Sequence, residues 1–551
     1  MVGRILRRLE APVRGLHEAA YLIAGLTLAS QALALLRDRL FAGSFGASET
    51  LDLYYAAFRI PDLVFALVAS LVSAYVLIPR IATVGNEEAR RLVSHAASFL
   101  LIIGGALSAI LAFFAPSLVF ILFPDLRDAA DADGFVLLSQ ILLLQPILLG
   151  LSAILMSITQ VKRRFFVFAL SPVLYNLGII GGIFLYPSYG LMGIGIGVVI
   201  GAAAHLALQL PTIARERLLP RLVLPDLALM REIIRDSVPR SLALGVGSLT
   251  VFVLTALAAR TGDGGISVFT LAMNLAAVPL ALIGASYATA AFPSLAEKAG
   301  QGDGSAFRAT LSTALRHLIF WSASVTVLVI VLRAHLVRTI LGAGVFDWEA
   351  TRLTAAILAV LAVGLIAQGV ILLASRAFYA ARRSWNPLLI QLAGLLVSAL
   401  GALGALALAG SIPSFRFFFE ALLRVSDVPG TDVLFIALGA TVGQLFMGAL
   451  ALLTLAKVAP GVASGILRPL SEGLGAAIIG GSAAYLTLFL LGNIASLSTL
   501  MAVFTQGLAA GIVGLAASAL VLVLLENREF KDLYRSLRAL STRALPPQSE
   551  F

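Results

Sequence analysis

Apolar residues along this chain come in long runs rather than in strict alternation. From residue 17 onward, runs of about 20 apolar residues follow one another with short polar breaks, and a helix of that length crosses the hydrocarbon core of a bilayer. Breaks at charged residues and Gly/Pro clusters give about fourteen segments, at roughly 17–40, 51–79, 92–114, 134–158, 166–187, 190–213, 237–260, 266–293, 310–332, 350–375, 386–410, 431–456, 469–492 and 498–525. A helix satisfies all of its backbone polar groups within one crossing. The pattern therefore predicts an all-α polytopic membrane protein with about 14 transmembrane helices.

Basic residues orient these segments, because Lys and Arg collect on the cytoplasmic side. With both termini inside, the inner segments hold Arg4, Arg7, Arg8 and Arg14; Arg80, Arg90 and Arg91; Lys162, Arg163 and Arg164; the run from Arg215 to Arg240; Lys298, Arg308 and Arg316; Arg376, Arg382 and Arg383; Lys457 and Arg468; and the tail from Arg528 to Arg543. Most of the 39 basic residues are placed in this way. Arg37, Arg39, Arg127, Arg260, Arg333, Arg338, Arg352, Arg416 and Arg424 fall outside or near the outer ends, and Arg59 lies within a span.

Composition agrees with that assignment. The 551 residues are 60% hydrophobic and 12% charged, with a mean hydropathy of +1.00, where soluble domains hold about 45–50% apolar residues. The net charge of +10 reads as topology and contact with anionic lipid rather than nucleic acid, since no basic soluble domain is present. The opening "MVGRILRRLEAPVRGLHEAA" is basic and leads into a full-length span without a small-residue cleavage site, so it is expected to be an anchor.

The chain repeats itself at an offset near 215 residues, the signature of duplicated halves. "YVLIPRIATVGNEEARRLVSHAASFLLII" from Tyr75 aligns with "TAAFPSLAEKAGQGDGSAFRATLSTALRHLIF" from Thr289, with Pro79 opposite Pro293. "QVKRRFFVFALSPVLYNLG" likewise matches "FYAARRSWNPLLIQLAG", with Pro172 opposite Pro387 and a double arginine in each. An offset of six spans preserves orientation, so the halves are parallel repeats. The expected organisation is two pseudo-symmetric six-helix lobes, 1–214 and 215–460, followed by an added pair of spans at 461–526 and a cytoplasmic tail at 527–551.

Within this apolar background, "FGASETLDLYYAAFRIPDLVFALVASLVSAYVLIPRIA", residues 45–82, stands apart. Asp52, Tyr55, Arg59 and Asp62 are spaced i, i+3, i+7 and i+10, which puts them on one stripe of a helix whose other faces are Leu, Val, Ala and Phe. A charge at the bilayer centre costs at least about 2.5–3.5 kcal/mol, so such a stripe is expected to line an aqueous cavity. Pro61 bends the helix where water or side chains take up the freed carbonyl. An alternative reading of the same spacing is a local Arg59–Asp62 ion pair with a structural role. Thr27, Ser30, Gln31, Arg37 and Asp38 give the first span a polar side, and Ser267, Thr270 and Asn274 do so in the eighth. Gln145, followed by Pro146, joins a polar group to a kink, while Gln368, Gln391 and Gln444 read as interhelical hydrogen-bonding groups.

Enzymatic chemistry finds no foothold. No Gly-rich phosphate loop, nucleophile–base pair, acidic metal cluster or cofactor motif occurs. The absence of cysteine excludes disulfides and thiol catalysis, and His17, His95, His205, His317 and His335 lack ligand-like spacing. Asp125, Asp128, Asp131 and Asp133 lack the glycine spacing of a calcium loop and read as a solvated outer loop. "SIPSFRFFFEALLRVSDVPG" from Ser411 reads as an amphipathic helix on the outer surface.

Three stretches, "SQALALLRDRLFAGSFGASETLDLYYAAFRIPDL", "SAYVLIP" and "LAMNLAAVPLALIGASYATAAFPSLAEKAG", together resemble the MurJ/MviN lipid II flippases of the multidrug/oligosaccharidyl-lipid/polysaccharide exporter superfamily. The likeness extends over nearly the whole chain. It implies a bacterial cytoplasmic-membrane protein of peptidoglycan biosynthesis that exports an undecaprenyl-pyrophosphate-linked precursor by alternating access of two lobes, with spans 13 and 14 forming a groove for the polyprenyl tail. Arg37, Asp38 and Asp52 match family positions, and Arg59 stands where the family has a basic residue. Three other cavity arginines of the family are replaced, at Gln31, Phe65 and Asn274, and Arg260 or Arg39 are the candidates to substitute as phosphate ligands. A flippase for another lipid-linked saccharide and a cation-coupled drug exporter share the architecture. Energy coupling stays open between sodium or protons on a carboxylate such as Asp52 and the membrane potential acting on the charged substrate.

Overall fold

The computed structural model describes residues 16–72, 74–492, 499–533 and 535. Arg4, Arg7, Arg8 and Arg14, and most of the basic tail, lie outside the described residues. All regular structure among the described residues is helical. Twelve helical segments are long and apolar enough to cross a membrane, or thirteen when Trp348–Val363 and Leu365–Ala380, bent by 49° at their junction, count as one. That is short of the fourteen expected. The remaining segment, 17–40, falls on the helix Leu16–Phe45, for which only the backbone is described at its start.

The crossings are interrupted, and the interruptions recur between the halves. The 51–79 segment is not one helix but three, Glu49–Ala57, Arg59–Val68 and Ala74–Ala82, with a tight 3-10 turn at Ala69–Val72. Its counterpart in the second half also changes winding, at Leu280–Ala285 between Gly265–Pro279 and Ser286–Gly300. The paired arginine motifs fold alike as well. Arg163 and Arg382 both take the left-handed conformation, at φ 55° and 56°. The next residue in each case closes the turn, Arg164 N–H on the Thr159 carbonyl at 2.7 Å and Arg383 N–H on the Phe378 carbonyl at 2.8 Å. A non-glycine residue in that region costs about 1–2 kcal/mol, so two such turns at matching places carry the duplication into the backbone.

The chain divides into two compact units, Met1–Thr270 with Ala343–Ala350, and Leu271–Gly342 with Thr351–Phe551. The first is built around fully buried Phe41, Leu51, Leu53, Leu77, Leu100 and Phe135. The second has its own core, in which Leu311, Leu315, Leu318, Leu373, Phe378 and Leu455 are sealed from solvent. The expected surface helix is present as Pro413–Leu423 and buries none of its residues.

In the first unit the stretch before Leu227 is extended and strapped onto the helix Asn86–Phe99. Arg221 and Val223 donate backbone N–H groups to the Ser94 and Ser98 hydroxyls at 2.9 and 3.1 Å, and Asp226 N–H reaches His95 Nδ1 at 3.1 Å. Asp226 then caps the helix Leu227–Ala258 by accepting from Ala228 and Leu229. Those backbone donors hold its carboxyl below the usual carboxylate range.

Small residues let two helices of this unit touch backbone to backbone. Phe165–Tyr189 and Leu191–Ala207 meet along Gly178 and Gly182 on one side and Gly197 and Gly201 on the other, the close approach that small-xxx-small spacing permits. A Cβ on Gly201 would stand 2.6 Å from the Tyr175 carbonyl oxygen, whereas one on Gly181 would meet nothing within 4 Å. Gly201→Leu is therefore expected to destabilise the protein by about 1–3 kcal/mol, seen as a lower thermal midpoint in detergent, with Gly181→Leu near wild type. Equal midpoints for the two variants would contradict this packing.

Candidate functional site

The charged stripe sits where its helix is broken. Pro61 has no N–H to give the Ala57 carbonyl, and the chain turns at Phe58 before Asp62 N–H resumes helical bonding on the Phe58 carbonyl at 2.9 Å. Tyr54 and Tyr55 on the first piece are buried, at 4% and 6% exposure. An aromatic cluster fixes the pieces against neighbouring helices. Tyr54 stacks on Phe41 at 4.4 Å, Phe58 meets Tyr54 edge-on at 5.0 Å, and Phe45 meets Tyr186 at 4.7 Å. Such contacts add about 0.5–1.5 kcal/mol each beyond burial.

Two of the three principal charges in this region are answered within the unit. Arg37 donates Nε and Nη2 to Asp38 Oδ1 at 3.0 and 2.8 Å and Nη1 to Asn176 Oδ1 at 3.2 Å. Asn176 is itself oriented by donating to the Pro172 carbonyl at 3.1 Å. Asp52 is sealed and accepts three hydrogen bonds, from Gly264 N–H at 2.8 Å, Ser267 N–H at 2.7 Å and Ser267 Oγ at 2.5 Å. Those donors belong to the first turn of the helix Gly265–Pro279 and the residue before it. The carboxylate thus satisfies amides that a helix start leaves unbonded and complements its dipole. Ser267 is also the residue opposite Asp52 in the repeat, so one half's carboxylate binds its counterpart's backbone.

Arg59 is the exception. Its Nε is buried without an acceptor, and the nearby Tyr55 hydroxyl is likewise buried and unpartnered. Among the described residues no hydrogen bond joins Arg59 to Asp62, although the two lie within electrostatic reach of each other. Asp62, Tyr54 and Tyr55 lie within electrostatic reach of Arg59, and Tyr175 within reach of both Arg37 and Asp62. The stripe and the end of the first helix therefore form one cluster: Arg37, Asp38, Tyr55, Arg59 and Asp62, with Tyr54, Tyr175 and Asn176 added by the fold.

Arg260 and Gln31 do not join it. Arg260 is 61% exposed and lies 3.9 Å from Asp125. Gln31 is on an exposed stretch of its helix. Asn274 belongs to the other compact unit and has an interaction of its own. Asn176 carries no periodic signal that singles it out in the sequence, although it stands in the "SPVLYNLG" stretch that marks the repeat. Elsewhere in the first unit, a cavity of about 420 Å³ is lined by Arg80, Glu88, Arg91, Asp226 and Glu232. Its arginines are answered by Glu232 at 3.1 Å and Asp226 at 3.6 Å.

The chemistry this leaves is anion binding. A buried guanidinium without an acceptor is costly, and it pairs best with phosphate or carboxylate oxygens through charge-assisted, often bidentate bonds.

The sequence profile of the family described as Lipid II flippase MurJ matches residues 41–415. A Lipid II flippase MurJ from Burkholderia cenocepacia is 26% identical over 398 residues, covering 70% of this chain and 77% of its own. A probable lipid II flippase MurJ from Bdellovibrio bacteriovorus is 26% identical over 394 residues, 69% of this chain and 75% of its own. In fold, a solved lipid II flippase MurJ in an inward closed conformation superposes with a TM-score of 0.71 at 21% identity, covering 92% of this chain and all of the other. An inward-facing multidrug resistance MATE family transporter of the MOP superfamily gives 0.64 at 16% identity over 81% of this chain and 99% of its own.

The Asp52 cap is open to test on its own. Asp52→Ala leaves two buried amides without acceptors, at about 1–3 kcal/mol for each unsatisfied group. The expected result is a lower thermal midpoint and faster hydrogen exchange at Gly264 to Ser267, with Ser267→Ala milder. Unchanged exchange there in Asp52→Ala would contradict the cap.

Proposed function

The chain belongs to the lipid II flippase MurJ family, and on that premise we propose that it moves lipid II, the undecaprenyl-pyrophosphate-linked peptidoglycan precursor, from the inner to the outer leaflet of the bacterial cytoplasmic membrane by alternating access. The observation that supports this most is the half-buried Arg59, whose sealed Nε has no acceptor. A pyrophosphate supplies several oxygens and negative charge to such a group. Arg37, held in place by Asp38 and Asn176, is the second cation offered to the head group. Tyr55, with its free hydroxyl, adds a neutral donor, and Asp62 sets a limit on how tightly an anion binds.

We place both termini in the cytoplasm, which the distribution of Lys and Arg supports. Asp52 acts in this reading as a structural acceptor rather than as a substrate contact, since both of its oxygens are engaged. One specific observation favours a second reading, a flippase for another lipid-linked saccharide: Gln31, Phe65 and Asn274 stand where the resemblance leads one to expect arginine.

Depletion of the native lipid II flippase in a bacterium, with this protein supplied in its place, tests the proposal. Wild type is expected to restore growth, and Arg59→Ala and Arg37→Ala at matched membrane levels are expected to fail. Losing one charged contact to a buried anion costs about 2–5 kcal/mol, a thirtyfold or greater loss of affinity. Wild type that inserts normally and never rescues would overturn lipid II as the cargo and favour the other saccharide.

A further inference from the structure

A threonine inside a helix can donate its hydroxyl to the carbonyl four residues back. In the membrane-spanning helices Thr250, Thr255, Thr441 and Thr454 do so, at 2.7–2.9 Å. Thr270, within the helix Gly265–Pro279, does not. It is 7% exposed, and its buried hydroxyl oxygen has no hydrogen-bond partner. The cost of taking that hydroxyl out of water is left unreturned.

Thr270 lies 215 residues from Tyr55, the same offset that separates Ser267 from Asp52. Asp52 accepts the Ser267 N–H and hydroxyl at 2.7 and 2.5 Å. Three residues further along each helix, an advance of about 4.5 Å, stand Tyr55 and Thr270, and both hydroxyls are buried without a partner. They are therefore not bonded to each other. Arg59 follows Tyr55 by four residues, with its buried Nε also open. All of these residues belong to the first compact unit. A bonded pair is thus followed by an open pair of hydroxyls and then by an open cation.

These open groups differ in what they can bind. A guanidinium only donates, which suits phosphate oxygens. A hydroxyl both donates and accepts, which matches the hydroxyl and acetamido groups of a sugar. A site that holds such a group open also rejects a ligand lacking the counterpart, because the protein group then stays unpaired.

We propose that Thr270, together with Tyr55, contacts the saccharide carried on the pyrophosphate, while Arg59 takes the pyrophosphate itself. Thr270 is in this way a specificity residue. The assignment rests on the lipid-carrier reading above, in which alternating access opens the pair to its ligand.

Thr270→Val keeps nearly the same shape and removes the hydroxyl. In the purified full chain in nanodiscs, its thermal midpoint is expected to equal or exceed that of wild type, since no internal bond is lost. Its affinity for lipid II is expected to fall about fivefold. Its affinity for undecaprenyl pyrophosphate, which lacks the saccharide, is expected to stay unchanged, and Thr270→Ser is expected to bind both ligands as wild type does. Arg59→Ala is expected to weaken both. A lower midpoint for Thr270→Val would place its hydroxyl in the protein's own bonding and overturn the proposal. So would an equal loss for both ligands, which would move the contact to the phosphates. Wild type that binds neither ligand would sink the lipid-carrier reading and the saccharide contact together, whereas wild type and Thr270→Val that bind lipid II equally well would sink the specificity role alone.

Discussion

A charge buried among membrane-spanning helices has to be answered, because hydrocarbon and packed side chains offer no water to do it. In the first unit this constraint accounts for most of the polar architecture. Arg37 is answered by its neighbour Asp38 and by Asn176 from another helix. Asp52 is answered by the opening amides of the helix that follows Gly264. The helix break at Phe58, three residues before Pro61, then starts a new helix with Arg59 at its first position, and the buried Nε of this guanidinium has no acceptor. The site is defined by that imbalance.

The surrounding packing keeps the imbalance in place. Tyr54, Phe41 and Phe58 clamp the two helical pieces, and the glycine-lined contact of Phe165–Tyr189 with Leu191–Ala207 carries the helix that presents Asn176. The same accounting separates sites from structural ion pairs elsewhere. Arg80, Arg91, Arg352 and Arg416 each have an acid beside them, and they hold loops and helix ends together. Arg59 differs from these: Asp62 is within electrostatic reach but makes no hydrogen bond to it, and its buried Nε lacks the acceptor that an external anion would supply.

Much of this is legible in the sequence. Runs of apolar residues mark the helical crossings, and the double arginines and prolines at a fixed offset mark a duplication that reappears as matching left-handed turns at Arg163 and Arg382. The i, i+3, i+7 spacing identifies Arg59 and its neighbours, because helical periodicity reports which residues share a face. What periodicity does not report is contact at long range. The bond from Asp52 to Ser267 joins residues 215 apart in sequence, and nothing local marks Asp52 as a cap rather than a cavity group. Asn176 and Tyr175 are hidden for the same reason. The span count falls short because a crossing that bends sharply, as at Gly364, reads in sequence as a single apolar run, and because the first segment is described only in part.

In the proposed function the Arg59 guanidinium, whose buried Nε has no acceptor, binds the pyrophosphate of the transported lipid. Equilibrium binding of lipid II to the purified full-length protein in nanodiscs, compared between wild type and Arg59→Ala, tests it most directly. Binding at least thirtyfold weaker is expected in the variant, with a weaker dependence on salt. Equal affinities in two equally well folded proteins would contradict it.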